Sequence, residues 1–246
     1  MSDDGENTLI GHLEDLRSSL LKIIYAIIIL YPVAYYFSSD AIELLIKWCF
    51  KDTSVQLHYF APMEVFWQQL QLSLILALAI AYPWSVMQIW NFLLPALYKE
   101  ERKALGSWII ISTLLFFGGI IFSVGFILPL MMKFSIGFSS ESIKATIGLA
   151  NFLNLSGWLS LAFGVMFQAP IIVLLIVRFG LVSSNTLAYC RPYVMTVILI
   201  ISAVLTPPDV VSQVMLAVPT WLLFEIGLMA ARKIEIKSKN DEVKQE

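Results

Sequence analysis

Long stretches free of acidic and basic residues alternate along the chain with short segments in which charges cluster. Six such stretches cover residues 23–39, 65–98, 104–132, 145–177, 192–208 and 210–224. A helix rises about 1.5 Å per residue, so crossing a hydrocarbon core of about 30 Å requires roughly 20 residues. The pattern therefore predicts an all-α integral membrane protein with six transmembrane helices, of which the fifth and sixth are short.

We place the six spans at residues 21–38, 66–92, 105–130, 151–177, 192–206 and 211–230, within a single domain covering residues 1–232. Nearly every span has a proline within it or at its edge, namely Pro32, Pro83, Pro95, Pro129, Pro170 and Pro219. An interior proline removes a backbone hydrogen bond, so kinked helices are predicted. A tight turn is predicted at residues 207–209, between the last two spans.

The composition agrees with this class of protein and narrows the possible functions. Hydrophobic residues make up 59% of the chain and charged residues 14%, and the mean hydropathy is +0.80. The formal net charge of −2 lacks the excess of Lys and Arg that a nucleic-acid-binding protein needs. His12 and His58 lie on opposite predicted sides of the membrane and outside the spans, so we predict no metal site, no cofactor and no enzyme.

The distribution of basic residues predicts the orientation. With the amino terminus inside, the outer segments hold only Lys47, Lys51, Lys133 and Lys144 of the 16 basic residues. Because inner segments of membrane proteins carry the excess of Lys and Arg, both termini are predicted to be cytoplasmic. The charged tail at residues 233–246 is predicted to be mobile.

The first outer loop opens with an amphipathic segment at residues 40–51. Apolar side chains such as Leu44 and Trp48 are interspersed there with charged ones such as Glu43 and Lys47. A helix of this kind can lie along the outer membrane interface, and it can equally pack on the helix bundle.

Two polar residues inside the predicted spans are candidates for a role because burial in hydrocarbon is costly for them. Gln168 either joins two helices through a hydrogen bond or lines a polar cavity. Glu225 either extends to the cytoplasmic interface or pairs with Arg17 or Arg232. Glu64, at the outer start of the second span, is interpreted as a carboxylate favoured by the helix dipole.

Acidic residues on the inner side stand out against its basic character. Glu14 and Asp15 precede Arg17, and Glu100 and Glu101 lie in the loop between the second and third spans. Paired carboxylates can bind guanidinium groups through parallel N–H···O bonds. A solvated ion-pair network with the neighbouring basic residues is the alternative.

Several motifs resemble those of the TatC family, the multispanning receptor subunit of the twin-arginine protein translocase. Residues 12–20, HLEDLRSSL, are similar to the family signature HLxELRxRL, and residues 95–102, PALYKEER, to its PALYxxER loop. The FExP element is matched by FQAP at residues 167–170, and LTPPDxxSQ by LTPPDVVSQ at residues 205–213. Pro219 and the FEIG run at residues 224–227 complete a set that spans the chain.

The resemblance implies a function that composition alone does not give. Members bind twin-arginine signal peptides on the cytoplasmic side of the bacterial inner membrane and support export of folded proteins driven by the proton-motive force. By position, Asp15 and Glu101 match the acids that receive the two signal arginines, and the predicted binding set is completed by Glu14, Glu100, Phe92 and Arg17. No ATP-binding loop is expected, and none is present in the sequence.

The resemblance also implies partners, which are small single-span subunits of the TatA/TatB type and further copies within a larger complex. Their docking surface is predicted around Met195, Thr196 and Gln213, with Asp209, Gln168 and Glu225 as further polar positions. Gln168 stands where many relatives carry Glu, so proton transfer by that side chain is not expected. The rival hypothesis is a secondary transporter of small solutes, although the sequence has no internal repeat of the kind common in such folds.

Overall fold

The computed structural model describes residues 3–51, 57–93, 105–137, 146–206 and 210–243. These residues are almost wholly helical. The elements in order are α1 (Asp3–Cys49), β1 (Leu57–His58), α2 (Glu64–Leu93), α3 (Leu105–Phe122), a π-helical segment (Ser123–Ile127), α4 (Leu128–Ile136), β2 (Ile147–Gly148), α5 (Leu149–Met166), α6 (Ala169–Arg178), α7 (Ser184–Tyr189), α8 (Arg191–Leu205) and α9 (Val210–Val243).

The helices confirm the predicted class of fold. Five helical stretches are long and apolar enough to cross a membrane, at Leu13–Cys49, Glu64–Phe92, Gly106–Ile136, Leu149–Arg178 and Val210–Ile236, and the shorter apolar helix Arg191–Leu205 is the predicted short fifth span. The sixth differs from the prediction because it is not short. Its helix continues through Glu225, which ended the charge-free stretch without ending the helix.

The first helix is much longer than a span. Its 47 residues correspond to about 70 Å at the rise of an α-helix, more than twice the thickness of a hydrocarbon core. The amphipathic segment predicted at 40–51 is therefore not a separate helix but the end of α1 and the turn that follows. Cys49 and Phe50 are buried at this end, where the Phe50 ring contacts Phe152 edge to face at 5.1 Å.

Prolines interrupt some spans and are accommodated in others. The π-helical segment precedes Pro129, and a turn at Phe167 and Gln168 separates α5 from α6 just before Pro170. Because proline cannot donate a backbone hydrogen bond, a change of helical pattern next to it is expected. Pro32, Pro83 and Pro219 instead lie within helices that continue past them.

The chain divides into two compact units. The first comprises Met1–Leu114 with Thr146–Gly157, and the second Leu115–Ala145 with Trp158–Glu246. In the first unit α1 packs along α2, and β1 pairs with β2 in parallel, with Leu57 opposite Ile147.

In the second unit α9 packs against α6 and α8. The buried cluster between these elements contains Val173, Val177, Phe224, Leu228 and Ala231. The backbone of α9 is helical as far as Val243, well into the predicted tail, whose mobility stays a prediction.

Candidate functional site

One face of α1 near its amino-terminal end forms an open groove of about 390 Å³. Among the described residues, the groove is lined by Glu14, Arg17, Ser18, Leu21, Lys22 and Tyr25. Their spacing of three or four residues places them on one side of the helix. The groove therefore carries one acidic and two basic side chains, Glu14, Arg17 and Lys22, together with the uncharged Ser18, Leu21 and Tyr25.

The two predicted acids of this segment point in different directions. Glu14 lines the groove, whereas Asp15 lies about 100° around the helix. Both side chains are exposed, and neither carboxylate has a hydrogen bond or ion pair with another residue in the described part of the chain. As far as the described residues show, both carboxylates are therefore accessible to a ligand.

The remaining members of the predicted binding set are only partly located. Phe92 is half-buried near the end of α2, at the start of the connection that carries the second acidic cluster. Glu100, Glu101 and Asp209 lie outside the described residues.

Gln168 forms the turn between α5 and α6. Its backbone N–H donates to the Val165 carbonyl at 2.9 Å, and its side-chain Nε2 donates to the Gly164 carbonyl at 3.3 Å. In a regular α-helix the backbone N–H of Gln168 would donate to the Gly164 carbonyl. At this turn the backbone N–H donates to Val165 instead, and the side-chain amide donates to the Gly164 carbonyl. The predicted roles in joining helices or lining a polar cavity stay predictions.

The motif that contains Gln168 contacts the motif that contains Glu225. A Cβ atom at Gly227 would lie 2.7 Å from the Cα of Pro170, so only glycine fits where α9 crosses α6. Phe224, in the same turn of α9, belongs to the buried cluster between the two helices. Two sequence motifs more than 50 residues apart therefore form one packing contact.

Glu225 forms an ion pair with Arg191, and the predicted pairing with Arg17 or Arg232 is wrong. Arg191 Nε lies 2.7 Å from Oε1, and Nη2 donates to Oε2 at 2.8 Å. The glutamate side chain is 17% exposed and the arginine 43%. The reason is the antiparallel packing of α8 and α9, which brings the first residue of α8 beside the middle of α9.

The residues predicted to bind partner subunits lie on α8 and α9. Met195 is half-buried, and Thr196 is exposed with its hydroxyl donating to the Pro192 carbonyl at 2.9 Å. Gln213 donates from Nε2 to the Leu199 carbonyl at 3.0 Å, which ties α9 to α8. Gln213 of α9 therefore lies against α8, the helix that carries Met195 and Thr196.

Two residues that join elements of the second unit, Arg191 and Glu235, were not predicted from the sequence. Arg191 could have been found from the symmetry of a hairpin, because residues 191 and 225 are equally far from Pro208, in the turn predicted between these helices. Glu235 accepts a hydrogen bond from the Ser184 N–H at 3.0 Å, at the start of α7. No local pattern marks that contact.

Comparison with known proteins gives the family. The chain matches the family described as Sec-independent protein translocase protein (TatC) over residues 11–219. A TatC protein of Haemophilus influenzae is 32% identical over 250 residues, covering 98% of this chain and 95% of the relative. One of Magnetococcus marinus is 35% identical over 240 residues, with 97% and 89% coverage, and one of Escherichia coli K12 is 33% identical over 251 residues, with 98% and 95% coverage.

Solved structures agree over most of the chain. A crystal structure of the twin-arginine translocase receptor TatC matches with a TM-score of 0.82 at 31% identity, covering 90% of this chain and 98% of that one. A second crystal structure of TatC, in DDM, matches with a TM-score of 0.83 at 31% identity, with 89% and 99% coverage. These similarities support a translocase over a transporter of small solutes, and they establish that this chain belongs to the TatC family of Sec-independent protein translocase proteins.

Proposed function

We propose that the amino-terminal end of α1 captures twin-arginine signal peptides, with Asp15 and Glu101 binding the two guanidinium groups and Glu14 and Glu100 assisting. The observation that carries this proposal is the pair of exposed, adjacent carboxylates of Glu14 and Asp15. Carboxylates that diverge around a helix can approach guanidinium groups from two sides.

The rest of the groove suits the segment that follows the arginines in such a peptide. Leu21 and Tyr25, with Lys22 between them, continue the same face of α1 toward its apolar part. An apolar peptide segment can therefore lie along α1 while its arginines stay at the acidic end. Phe92 and Arg17 are the further members of the proposed site.

The proposed site faces the cytoplasm, as do both termini, in a bacterial inner membrane. Cysteine labelling with a membrane-impermeant maleimide tests this orientation. We expect a cysteine replacing Lys22 to react only after permeabilisation and one replacing Lys51 to react in intact cells. The reverse pattern would contradict the proposed site.

Signal-peptide binding is tested by site-specific crosslinking from positions 15 and 101, with Asp40 as the matched acidic control at the far end of α1. We expect crosslinks from 15 and 101 and none from 40. Replacing Glu101 with Lys should abolish export of a twin-arginine reporter without preventing membrane insertion, whereas Asp40→Asn should leave export unchanged. Equal binding of leaders with two lysines would contradict the proposal.

Small single-span partner subunits are proposed to dock on α8 beside Met195, Thr196 and Gln213. The outward side of α8 supports this, since it exposes the apolar side chains of Tyr193, Val197, Ile200 and Val204. Gln168→Leu is expected to weaken complex assembly, as judged by complex size in native gels. An unchanged complex with normal export would argue against a role for Gln168.

A further inference from the structure

Bulky apolar side chains are exposed around the loop that joins β1 to α2. The exposed fractions are 66% for Tyr59, 71% for Phe60, 67% for Met63, 47% for Phe66 and 65% for Trp67. We refer to these five residues as the aromatic surface. No Asp, Glu, Lys or Arg occurs between Asp52 and Glu64, so with His58 neutral the loop that carries most of this surface is also free of formal charge.

The backbone beneath the aromatic surface is held by one carboxylate. Glu64 Oε2 accepts hydrogen bonds from the Phe60 N–H at 2.7 Å and the Ala61 N–H at 3.1 Å, and Oε1 accepts one from the Ala150 N–H at 2.9 Å. A single side chain therefore joins this loop to the first turn of α5. The pairing of β1 with β2 fixes the same two segments a few residues earlier.

These hydrogen bonds satisfy backbone groups that would otherwise keep the loop out of the membrane interface. A loop cannot enter a region of low dielectric if its backbone N–H groups lack partners. Here the N–H groups of Phe60 and Ala61 are bonded to Glu64, and the Glu64 N–H donates to the Ala61 carbonyl at 3.1 Å. The loop can therefore present its side chains to lipid without exposing those backbone groups to it.

The aromatic surface continues an exposed apolar side of α2, a helix long and apolar enough to span a membrane. Met63, Trp67 and Leu74 lie within about 40° of one another around the axis of α2 at 100° per residue. Leu74, deeper in the span, is itself 46% exposed. Aromatic side chains, Trp and Tyr above all, are enriched where membrane spans meet water because they combine an apolar body with a polar edge.

We propose that the aromatic surface is an interfacial anchor, seated in the headgroup region of the leaflet opposite the amino terminus, and that Glu64 is the residue that positions it. Its ligand is the phospholipid bilayer. The anchor fixes the depth of the outer ends of α2 and α5. It is independent of signal-peptide binding, because it involves no residue of the proposed binding site.

Fluorescence quenching by lipid tests the anchor directly. A cysteine at position 59, in a chain with Cys49→Ala and Cys190→Ser, carries an environment-sensitive fluorophore, and the chain is placed at one copy per nanodisc. Nitroxides on the headgroup or at shallow or deep acyl positions then report depth. We expect strong quenching by headgroup and shallow probes and little by deep probes, while the same label at exposed Lys51 is quenched mainly by aqueous iodide.

Two variants separate the anchor from general misfolding. Glu64→Gln should spread the depth profile of the label, because an amide has one acceptor oxygen and cannot accept the three N–H bonds in the same way. The double substitution Phe66→Ser and Trp67→Ser keeps Glu64 and should move the label toward water. Signal-peptide binding, measured on the same samples, should not change.

Equal iodide quenching at positions 59 and 51, with no quenching by lipid nitroxides, would overturn the anchor. A second set of nanodiscs, loaded with two copies, tests the alternative occupant: loss there of the lipid quenching seen at one copy would make the surface an interface between copies and would overturn the anchor. Failure of the otherwise unsubstituted labelled chain to bind the peptide, with the expected depth profile, would count against the proposed function alone.

Discussion

The start of α1 and the middle of α9 use carboxylates in opposite ways. At the start of α1, Glu14 and Asp15 are exposed and have no partner among the described residues. In α9, Glu225 is largely buried and both of its oxygens contact the Arg191 guanidinium. The first region keeps its negative charge available, whereas the second uses its charge to join two helices.

The difference follows from what surrounds each acid. Near water a carboxylate is well solvated and gains little from a fixed partner, so it can exchange water for a ligand's guanidinium. Next to hydrocarbon an unpaired carboxylate is costly, and a bidentate arginine contact offsets that cost. Substitutions in α9 should therefore change stability, and substitutions at the start of α1 should change binding.

The largest effect is expected where α9 packs most closely. Gly227→Ala places a methyl group 2.7 Å from the Pro170 Cα, so the helices must move apart. We expect a loss of about 3 kcal/mol in the free energy of unfolding, measured by SDS titration of detergent-solubilised protein. Gly118→Ala is the control, because a Cβ there meets nothing within 4 Å. Equal stability of the two variants would contradict the close contact.

The ion pair of α9 comes next. Glu225→Gln removes the charge that faces Arg191 and should cost about 2 kcal/mol in the same assay. Glu43→Gln removes a comparable pair, Glu43 with Lys47 at 3.0 Å, but both of those side chains are mostly exposed. That control should cost less than about 0.5 kcal/mol. If the control cost as much as Glu225→Gln, burial would not be what distinguishes the two regions.

At the start of α1 the prediction changes from stability to affinity. Asp15→Asn should weaken binding of a twin-arginine peptide about tenfold, a change of about 1.4 kcal/mol, and leave the free energy of unfolding unchanged within about 0.5 kcal/mol. Fluorescence anisotropy with a labelled peptide measures the first quantity. A loss of stability without loss of affinity would mean that Asp15, like Glu225, stabilises the fold instead of binding the peptide.

Much of the fold could be predicted because hydrocarbon restricts composition so strongly. Charge-free stretches coincide with five helices that are long and apolar enough to cross a membrane, and the 15-residue α8 matches the predicted short fifth helix. The same criterion failed at α9, because Glu225 interrupts the apolar run while its partner makes it tolerable inside the helix.

Features set by tertiary contacts could not be predicted from local pattern. Proline alone does not distinguish Pro83, inside a continuous helix, from Pro170, which follows a break, because the outcome depends on the neighbouring turn. Glu64 was expected only as a carboxylate favoured by the helix dipole, yet it also accepts a hydrogen bond from the Ala150 N–H of α5. For the candidate site, the sequence identified the acids of α1, but only the helical geometry shows that Glu14 lines the groove and Asp15 does not.

The smallest effect is expected at Glu235, a further acid of α9. Glu235 accepts the Ser184 N–H at the start of α7, where the Ser183 hydroxyl already accepts the Thr186 N–H. Glu235→Gln loses the charge and one acceptor oxygen but keeps the other for the Ser184 N–H, so the cost should be about 0.5 kcal/mol. Hydrogen exchange of the Ser184 amide should become faster while the Thr186 amide exchanges as before, because each N–H has its own acceptor. Equal acceleration of both amides would mean that Glu235 holds the whole of α7 on α9 and belongs, in energy, beside Glu225.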